Sequence, residues 1–156
     1  MTIQTPPSND PTPVPIFKGE HERGMDKKGR VTLPAPFREV LQGEKAVITK
    51  GIDKCLFVFP EKQFDELSEK IRSLGIGNPK ARRARRLLFA GASDVKLDSM
   101  GRINIPPYLR EYAGLSGSIS MVGNGTYIEI WDTGRWKLEE EAINENSAEA
   151  WEQLGI

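Results

Sequence analysis

The stretch Asp26-Lys27-Lys28-Gly29-Arg30-Val31-Thr32-Leu33-Pro34 sets an acid, a glycine and three cations close together, with Arg23 just upstream. An Asp opening a turn can accept backbone N–H groups, and an Arg four residues on can pair with its carboxylate. Arg23, Lys27, Lys28 and Arg30 are suited to oxyanions: lysine and arginine contact phosphates, and arginine also reads guanine edges. Other chemistries find little support. The chain has one histidine, His21, and one cysteine, Cys55. His21-Glu22-Arg23-Gly24 lacks the second histidine of a zinc helix, and one His with one Cys falls short of a structural zinc set. Cys55, within a strand-like run, reads as a small buried hydrophobe. Gly75-Ile76-Gly77 and Gly123-Asn124-Gly125 do not continue as phosphate loops and read as a helix terminus and a hairpin turn. With no nucleophile–base pair and no ligand cluster, the expectation is a protein that is not an enzyme, with no cofactor, no metal and no small-molecule substrate.

The same nine-residue pattern returns as Asp98-Ser99-Met100-Gly101-Arg102-Ile103-Asn104-Ile105-Pro106. Residues Phe17 to Phe64 align without a gap on Phe89 to Trp136, at a constant offset of 72. Identical pairs include Phe17/Phe89, Gly19/Gly91, Asp26/Asp98, Gly29/Gly101, Arg30/Arg102, Pro34/Pro106, Arg38/Arg110 and Glu39/Glu111. Two copies are too few for a solenoid and suggest two halves of one pseudo-symmetric body. Asp26, Gly29, Asp98, Gly101 and Arg102 recur because the turn itself needs them, the glycines being free to take positive φ. What differs points to function. Where copy one has Arg23, Lys27 and Lys28, copy two has Val95, Ser99 and Met100.

The elements that must position these residues are strands first. Val31 and Leu33 alternate with Thr32, and Ile103 and Ile105 with Asn104, the period of half-buried strands. Met25 and Leu97 end the preceding strands, and Pro34 and Pro106 stop the following ones. Short helical turns follow over Ala35 to Leu41 and Pro107 to Ala113. A hairpin then runs from Ala46–Lys50 through Gly51-Ile52-Asp53-Lys54 into Cys55–Phe59. Its counterpart joins Ile119–Val122 to Tyr127–Trp131. Between the copies, Phe64, Leu67, Ile71 and Leu74 mark one helical stripe. Asn78-Pro79 restarts a helix to about Phe89. On it Arg82, Arg83, Arg85 and Arg86 fan over one face, for contact with DNA or with a neighbouring subunit. Asp132 or Thr133 caps a helix through Ile143, and Ser147 a last short one to Leu154. Trp131, Trp136 and Trp151 suit core or interface sites better than base stacking.

Bulk composition agrees with one globular unit: 156 residues, 38% apolar and 28% charged. No apolar run approaches the ~18 residues of a membrane span. The single cysteine fits a reducing cytoplasm. Met1–Pro15, rich in Pro, Ser and Thr, reads as a disordered tail with no signal-peptide pattern. The net charge of zero hides an asymmetry. Phe17–Leu88 carries 17 Lys/Arg against 10 Asp/Glu, whereas the tail from Lys137 carries 1 against 6. Such a division suggests a polyanion partner, or an acidic tail folded over the basic part.

Taken as a set, these motifs resemble the MraZ transcriptional regulators, tandem relatives of AbrB/SpoVT swapped-hairpin DNA-binding domains. The resemblance covers about Ile16 to Trp136. It rests on the duplicated Asp-x-x-x-Arg turn with its alternating strand and proline, on Phe17-Lys18-Gly19, and on Arg85-Arg86-Leu87-Leu88-Phe89-Ala90-Gly91. Tyr112-Ala113-Gly114-Leu115 and Glu129-Ile130-Trp131 also match. It implies an α+β, mainly β fold, in which two AbrB-like β-hairpin repeats form a pseudo-twofold barrel joined and flanked by helices. The implied division is a tail over 1–15, repeat one over 20–63, a helical linker over 64–91, repeat two over 92–135 and an acidic helical tail over 136–156. It further implies a cytoplasmic, nucleoid-associated homo-oligomeric ring, with no membrane partner, that binds double-stranded DNA. The target would be short direct repeats in the promoter of the bacterial cell-division and cell-wall gene cluster. DNA contacts would fall to Arg23, Lys27, Lys28 and Arg30, with Asp26 orienting the turn. The alternative is a structural ring that acts through protein partners.

Overall fold

The computed structural model describes residues 15–155. Eight strands run β1 (Glu20–Gly24), β2 (Arg30–Thr32), β3 (Ala46–Lys50), β4 (Leu56–Pro60), β5 (Ser93–Val95), β6 (Arg102–Asn104), β7 (Ser118–Gly123) and β8 (Ile128–Asp132). Six α-helices accompany them: α1 (Ala35–Leu41), α2 (Glu61–Arg72), α3 (Pro79–Arg85), α4 (Pro107–Ala113), α5 (Thr133–Glu145) and α6 (Ser147–Gln153). The offset of 72 survives in three dimensions: β2 and β6, α1 and α4, β3 and β7, β4 and β8, and α2 and α5 start 72 residues apart. The prolines act as expected. Pro34 and Pro106 end β2 and β6 and stand directly before α1 and α4, whose first turns contain Pro36 and Pro107.

The copies exchange strands. The main sheet is antiparallel, in the order β1-β7-β8-β4-β3-β5. The first strand of each copy thus pairs with the hairpin of the other: β1 lies on β7 and β5 on β3. A second, two-stranded antiparallel ribbon joins β2 to β6. Two register pairs match equivalent positions, Val31 with Ile103 and Phe57 with Glu129, so the pseudo-twofold axis runs through both. The α+β chain, built mainly around β-strands, is therefore one body. Hydrogen bonding does not close it into the expected barrel. Among the described residues the sheet is open, with β1 and β5 at opposite edges, and the ribbon is a separate layer.

The core lies between these layers. Val31, Leu33, Ile103 and Ile105 from the ribbon side meet Ile48, Leu56, Val58, Ile119, Met121, Ile128 and Ile130 from the sheet. Phe37, Leu41, Leu109 and Ala113 seal it from α1 and α4. Fully burying such a side chain stabilises by about 1.5–3 kcal/mol. Because both copies contribute to this one cluster, neither repeat keeps a core without the other.

Some local expectations shift. The linker helix divides: α3 stops at Arg85 and a π-helical turn, Arg86–Ala90, carries the chain to Gly91. Thr49 Oγ1 donates 2.8 Å to the Leu88 carbonyl and holds that turn on β3. Asn78 caps α3 as expected, accepting from Lys80 and Ala81 N–H at 2.9 and 3.3 Å. Asp132 caps α5 through the Arg135 N–H at 3.1 Å. Ser147 is the first residue of α6, and its side chain does not cap it. Trp131 is buried, and Trp136 donates 2.8 Å to Glu20 Oε2, while Trp151 is exposed. The expected Met1–Pro15 tail lies outside the described residues except for Pro15.

Candidate nucleic-acid interface

The turn between β1 and β2 is organised by Asp26. Its Oδ1 accepts the N–H groups of Lys28 and Arg30 at 3.0 and 2.8 Å, and its Oδ2 accepts Arg30 Nε at 2.8 Å. The Asp26 N–H donates to the Arg30 carbonyl at 2.9 Å, and the Gly29 N–H to the Asp26 carbonyl at 3.0 Å. Gly29 sits at φ +83°. The Arg30 backbone N–H, more than any other cause, holds the Asp26 carboxyl below the usual carboxylate range, against the opposing effect of desolvation. A charged Asp26 gives the turn its shape and locks the Nε edge of Arg30. Lys27 and Lys28 remain exposed at the tip.

Copy two repeats the arrangement. Asp98 Oδ1 accepts the N–H groups of Met100 and Arg102, both at 2.9 Å, and Oδ2 accepts Arg102 Nε at 2.8 Å. Gly101 has φ +74°. The Arg102 N–H is again the main reason that Asp98 is held low. Here the exposed tip carries Ser99 and Met100, the latter 65% exposed.

Each turn is clamped by the opposite copy. The Leu33 N–H donates to the Gly101 carbonyl at 2.9 Å, and the Ile105 N–H to the Gly29 carbonyl at 2.8 Å. Arg110 of α4 lies over Gly29: a Cβ there would stand 2.8 Å from Arg110 Nε and 2.8 Å from the Ile105 carbonyl oxygen. Arg38 of α1 covers Gly101, where the three atoms nearest to an added Cβ all belong to the Arg38 side chain. Arg38 and Arg110 are thus turn-packing residues. Their identity in the two copies was the signal in the sequence, but the distance between each arginine and its turn concealed the contact.

Arg23 reaches the same region from β1, opposite Ile119, half-buried, with Nη1 donating 2.9 Å to the Glu22 carbonyl. His21, on the same face of the strand, packs edge-on against Phe37 at 5.1 Å between ring centroids. Arg23, Lys27, Lys28 and Arg30 therefore follow one another along a single strand–turn–strand path.

The arginine helix does not act as one face. Arg82 Nη1 donates 2.7 Å to the Ile76 carbonyl, and Arg85 Nη2 binds the carbonyls of Ile71, Arg72 and Leu74 at the end of α2. Arg85 thus satisfies carbonyls that the end of α2 leaves open, and Arg82 one in the loop between α2 and α3. Arg83 and Arg86 are exposed. Among the described residues no hydrogen bond connects these arginines to the Asp26 turn.

Elsewhere the titratable groups point to structure. Cys55 is fully buried and its Sγ–H donates 3.3 Å to Glu129 Oε2; burial, with the nearby carboxylate, pushes the thiol well above its ordinary pKa. Glu129 is itself pushed up by burial. Among the described residues no three metal-ligating side chains gather, and no helix is long and apolar enough to cross a membrane.

A family model described as "MraZ protein, putative antitoxin-like" matches the chain twice, over residues 16–87 and 88–154. The chain belongs to the MraZ family. The paired match falls on the two copies that exchange β1 and β5. Relatives named "Transcriptional regulator MraZ" cover most of it. That of Carboxydothermus hydrogenoformans is 50% identical over 121 residues, 78% of this chain and 84% of the relative. That of Acetivibrio thermocellus is 42% identical over 144 residues, 90% of this chain and all of the relative. That of Symbiobacterium thermophilum is 44% identical over 138 residues, 88% and 99% of the two chains. MraZ membership thus accounts for the duplicated turn and its offset.

Proposed function

We propose that this MraZ-family chain is a DNA-binding transcriptional regulator that engages short direct repeats upstream of the cell-division and cell-wall gene cluster as a homo-oligomeric ring, in the cytoplasm at the nucleoid. The observation that carries the reading is one turn geometry built twice and charged once. Asp26 and Asp98 fold their turns alike, but only the first turn presents exposed Lys27 and Lys28 beside Arg23 and Arg30. Clustered cations on a loop supply phosphate contacts, and a pre-oriented arginine supplies base contacts. The relatives' names agree with this role.

Broken symmetry also bears on the target. A true twofold protein suits a palindrome. A pseudo-twofold unit with one cationic end has polarity and suits repeats that all point the same way. Ring assembly would let adjacent subunits bind successive repeats, raising effective concentration beyond what one turn provides. Exposed Leu138 and Trp151 on the acidic helices α5 and α6, with Leu154 just past α6, and exposed Arg83 and Arg86 on the linker, would be complementary surfaces for a second copy. The same exposed apolar residues support a second reading, in which the ring acts through a protein partner.

A gel shift of the full chain on its own upstream region, with excess nonspecific DNA, separates the readings. DNA regulation requires a retained specific shift that Arg30→Ala abolishes while oligomeric state is unchanged. Equal affinity for specific and nonspecific duplex would leave the protein-partner reading standing.

A further inference from the structure

We infer that copy two takes part in base reading: the outer face of the β2–β6 ribbon is a composite surface on which Asn104, set beside Arg30, is a specificity-determining residue. This rests on the DNA-binding reading above. The ribbon register places Arg30 opposite Asn104 and Thr32 opposite Arg102. Side chains alternate across a strand, so one face holds Val31 and Ile103, 1% and 2% exposed, and the other holds these four polar residues. Thr32 and Asn104 are exposed and Arg30 and Arg102 partly so. Residues directly opposite on antiparallel strands have Cβ atoms about 4.5–5.5 Å apart, which makes Arg30 and Asn104 one cross-strand pair despite their separation in sequence.

None of the four is used up by the fold on that face. Each arginine spends its Nε on its own aspartate, at 2.8 Å in both copies, which fixes the guanidinium plane. Among the described residues, neither arginine has an Nη hydrogen bond, and neither Thr32 nor Asn104 has a side-chain hydrogen bond. A two-stranded antiparallel ribbon is one of the elements a major groove of about 12 Å admits. Arginine pairs bidentately with guanine and asparagine with adenine, so an adjacent Arg30–Asn104 pair is equipped to read neighbouring base pairs. Lys27 and Lys28 stand at the Arg30–Asn104 end, whereas Ser99 and Met100 stand at the Arg102–Thr32 end. The phosphate anchor therefore seats the Arg30–Asn104 pair more deeply than the Thr32–Arg102 pair. Copy two is then more than a scaffold, because it lends the second side chain of the reading pair.

The test uses the full chain and a duplex spanning its own upstream region, together with single-base variants of the protected site and a nonspecific duplex. Asn104→Ala should weaken specific binding by about tenfold or more and flatten the preference at one base pair, while nonspecific affinity, salt slope and oligomeric state stay as in the parent. Asn104→Gln, which keeps the amide but displaces it, should change the preference at the same base pair. Thr32→Ala should have a smaller effect. Unchanged affinity and base preference in Asn104→Ala and Asn104→Gln, with binding still lost in Arg30→Ala, overturns this inference and leaves the DNA reading intact. A parent that does not distinguish its upstream region from nonspecific duplex overturns both.

Discussion

Around Asp26 and around Asp98 the backbone follows the same path. The two N–H groups held by the carboxylate lie at 3.0 and 2.8 Å in the first turn and at 2.9 and 2.9 Å in the second, and the Nε contact is 2.8 Å in both. Both glycines are in the left-handed region, and both are covered by an arginine of the other copy. Only the tips differ, two exposed lysines against a serine and an exposed methionine. The aspartate, glycine and arginine that the two turns share, with the clamp from the opposite copy, therefore account for the common geometry. The lysines contribute nothing to the turn's hydrogen bonding that serine and methionine do not, so the fold does not require them; the proposed DNA contact would give them a role.

The sharpest break of this comparison is an exchange of tips. Replacing Lys27→Ser and Lys28→Met together should lower affinity for the upstream DNA on the order of ten- to a hundredfold at 0.1 M salt and reduce the log–log salt slope by about two. Thermal stability should be unaltered. Fluorescence anisotropy across a salt series measures the first effects and calorimetry the last. Retained affinity and slope would show that the cationic tip is a solvated surface only.

A second pair of variants tests the shared part. Gly29→Ala and Gly101→Ala each force a Cβ into a left-handed backbone and against the opposite copy's arginine. Each should destabilise by about 1–3 kcal/mol, Gly29→Ala the more, since its Cβ also meets the Ile105 carbonyl whereas at Gly101 the nearest atoms all belong to the flexible Arg38 side chain. Urea unfolding gives both values. A cost confined to one variant would mean that the turns are alike in geometry but not in their role in the fold.

The smallest effect is the pH dependence. Asp26 and Asp98 are both held below the usual carboxylate range, chiefly by the backbone N–H of Arg30 and of Arg102. A carboxyl with a depressed folded-state pKa supports the fold above its unfolded value of about 3.9 and loses that support as pH falls through the folded value. Asp26→Asn and Asp98→Asn should thus be less stable than the parent at pH 5 and above, and converge with it at the acid end. Circular dichroism during acid titration reads this. If the two variants deviate at different pH, the turns are electrostatically unequal after all.

What could be read in advance followed sequence distance. The Asp26–Arg30 ion pair spans four residues, so turn chemistry alone implied it. The β2 strand and α1 followed from alternation and from Pro34, again local signals. The Arg38–Gly101 and Arg110–Gly29 contacts, each more than sixty residues apart, left no local trace. The arginine helix shows the same limit. Its periodicity placed four arginines on one face, but only the tertiary packing turned Arg85 toward carbonyls at the end of α2 and Arg82 toward the Ile76 carbonyl of the following loop, and left Arg83 and Arg86 outside.

By itself the sequence determined the repeat, its offset, the turn that recurs and the charge that does not. Those are properties of residue types at short spacing, where backbone sterics and neighbouring side chains decide the conformation. Tertiary structure decided which copy each strand serves. β1 and β5 pair across the copies because a lone repeat of this size cannot bury the apolar faces of its own hairpin and ribbon. That exchange brings β6 beside β2, and so places Asn104 next to Arg30, a pairing that no local pattern in the chain encodes.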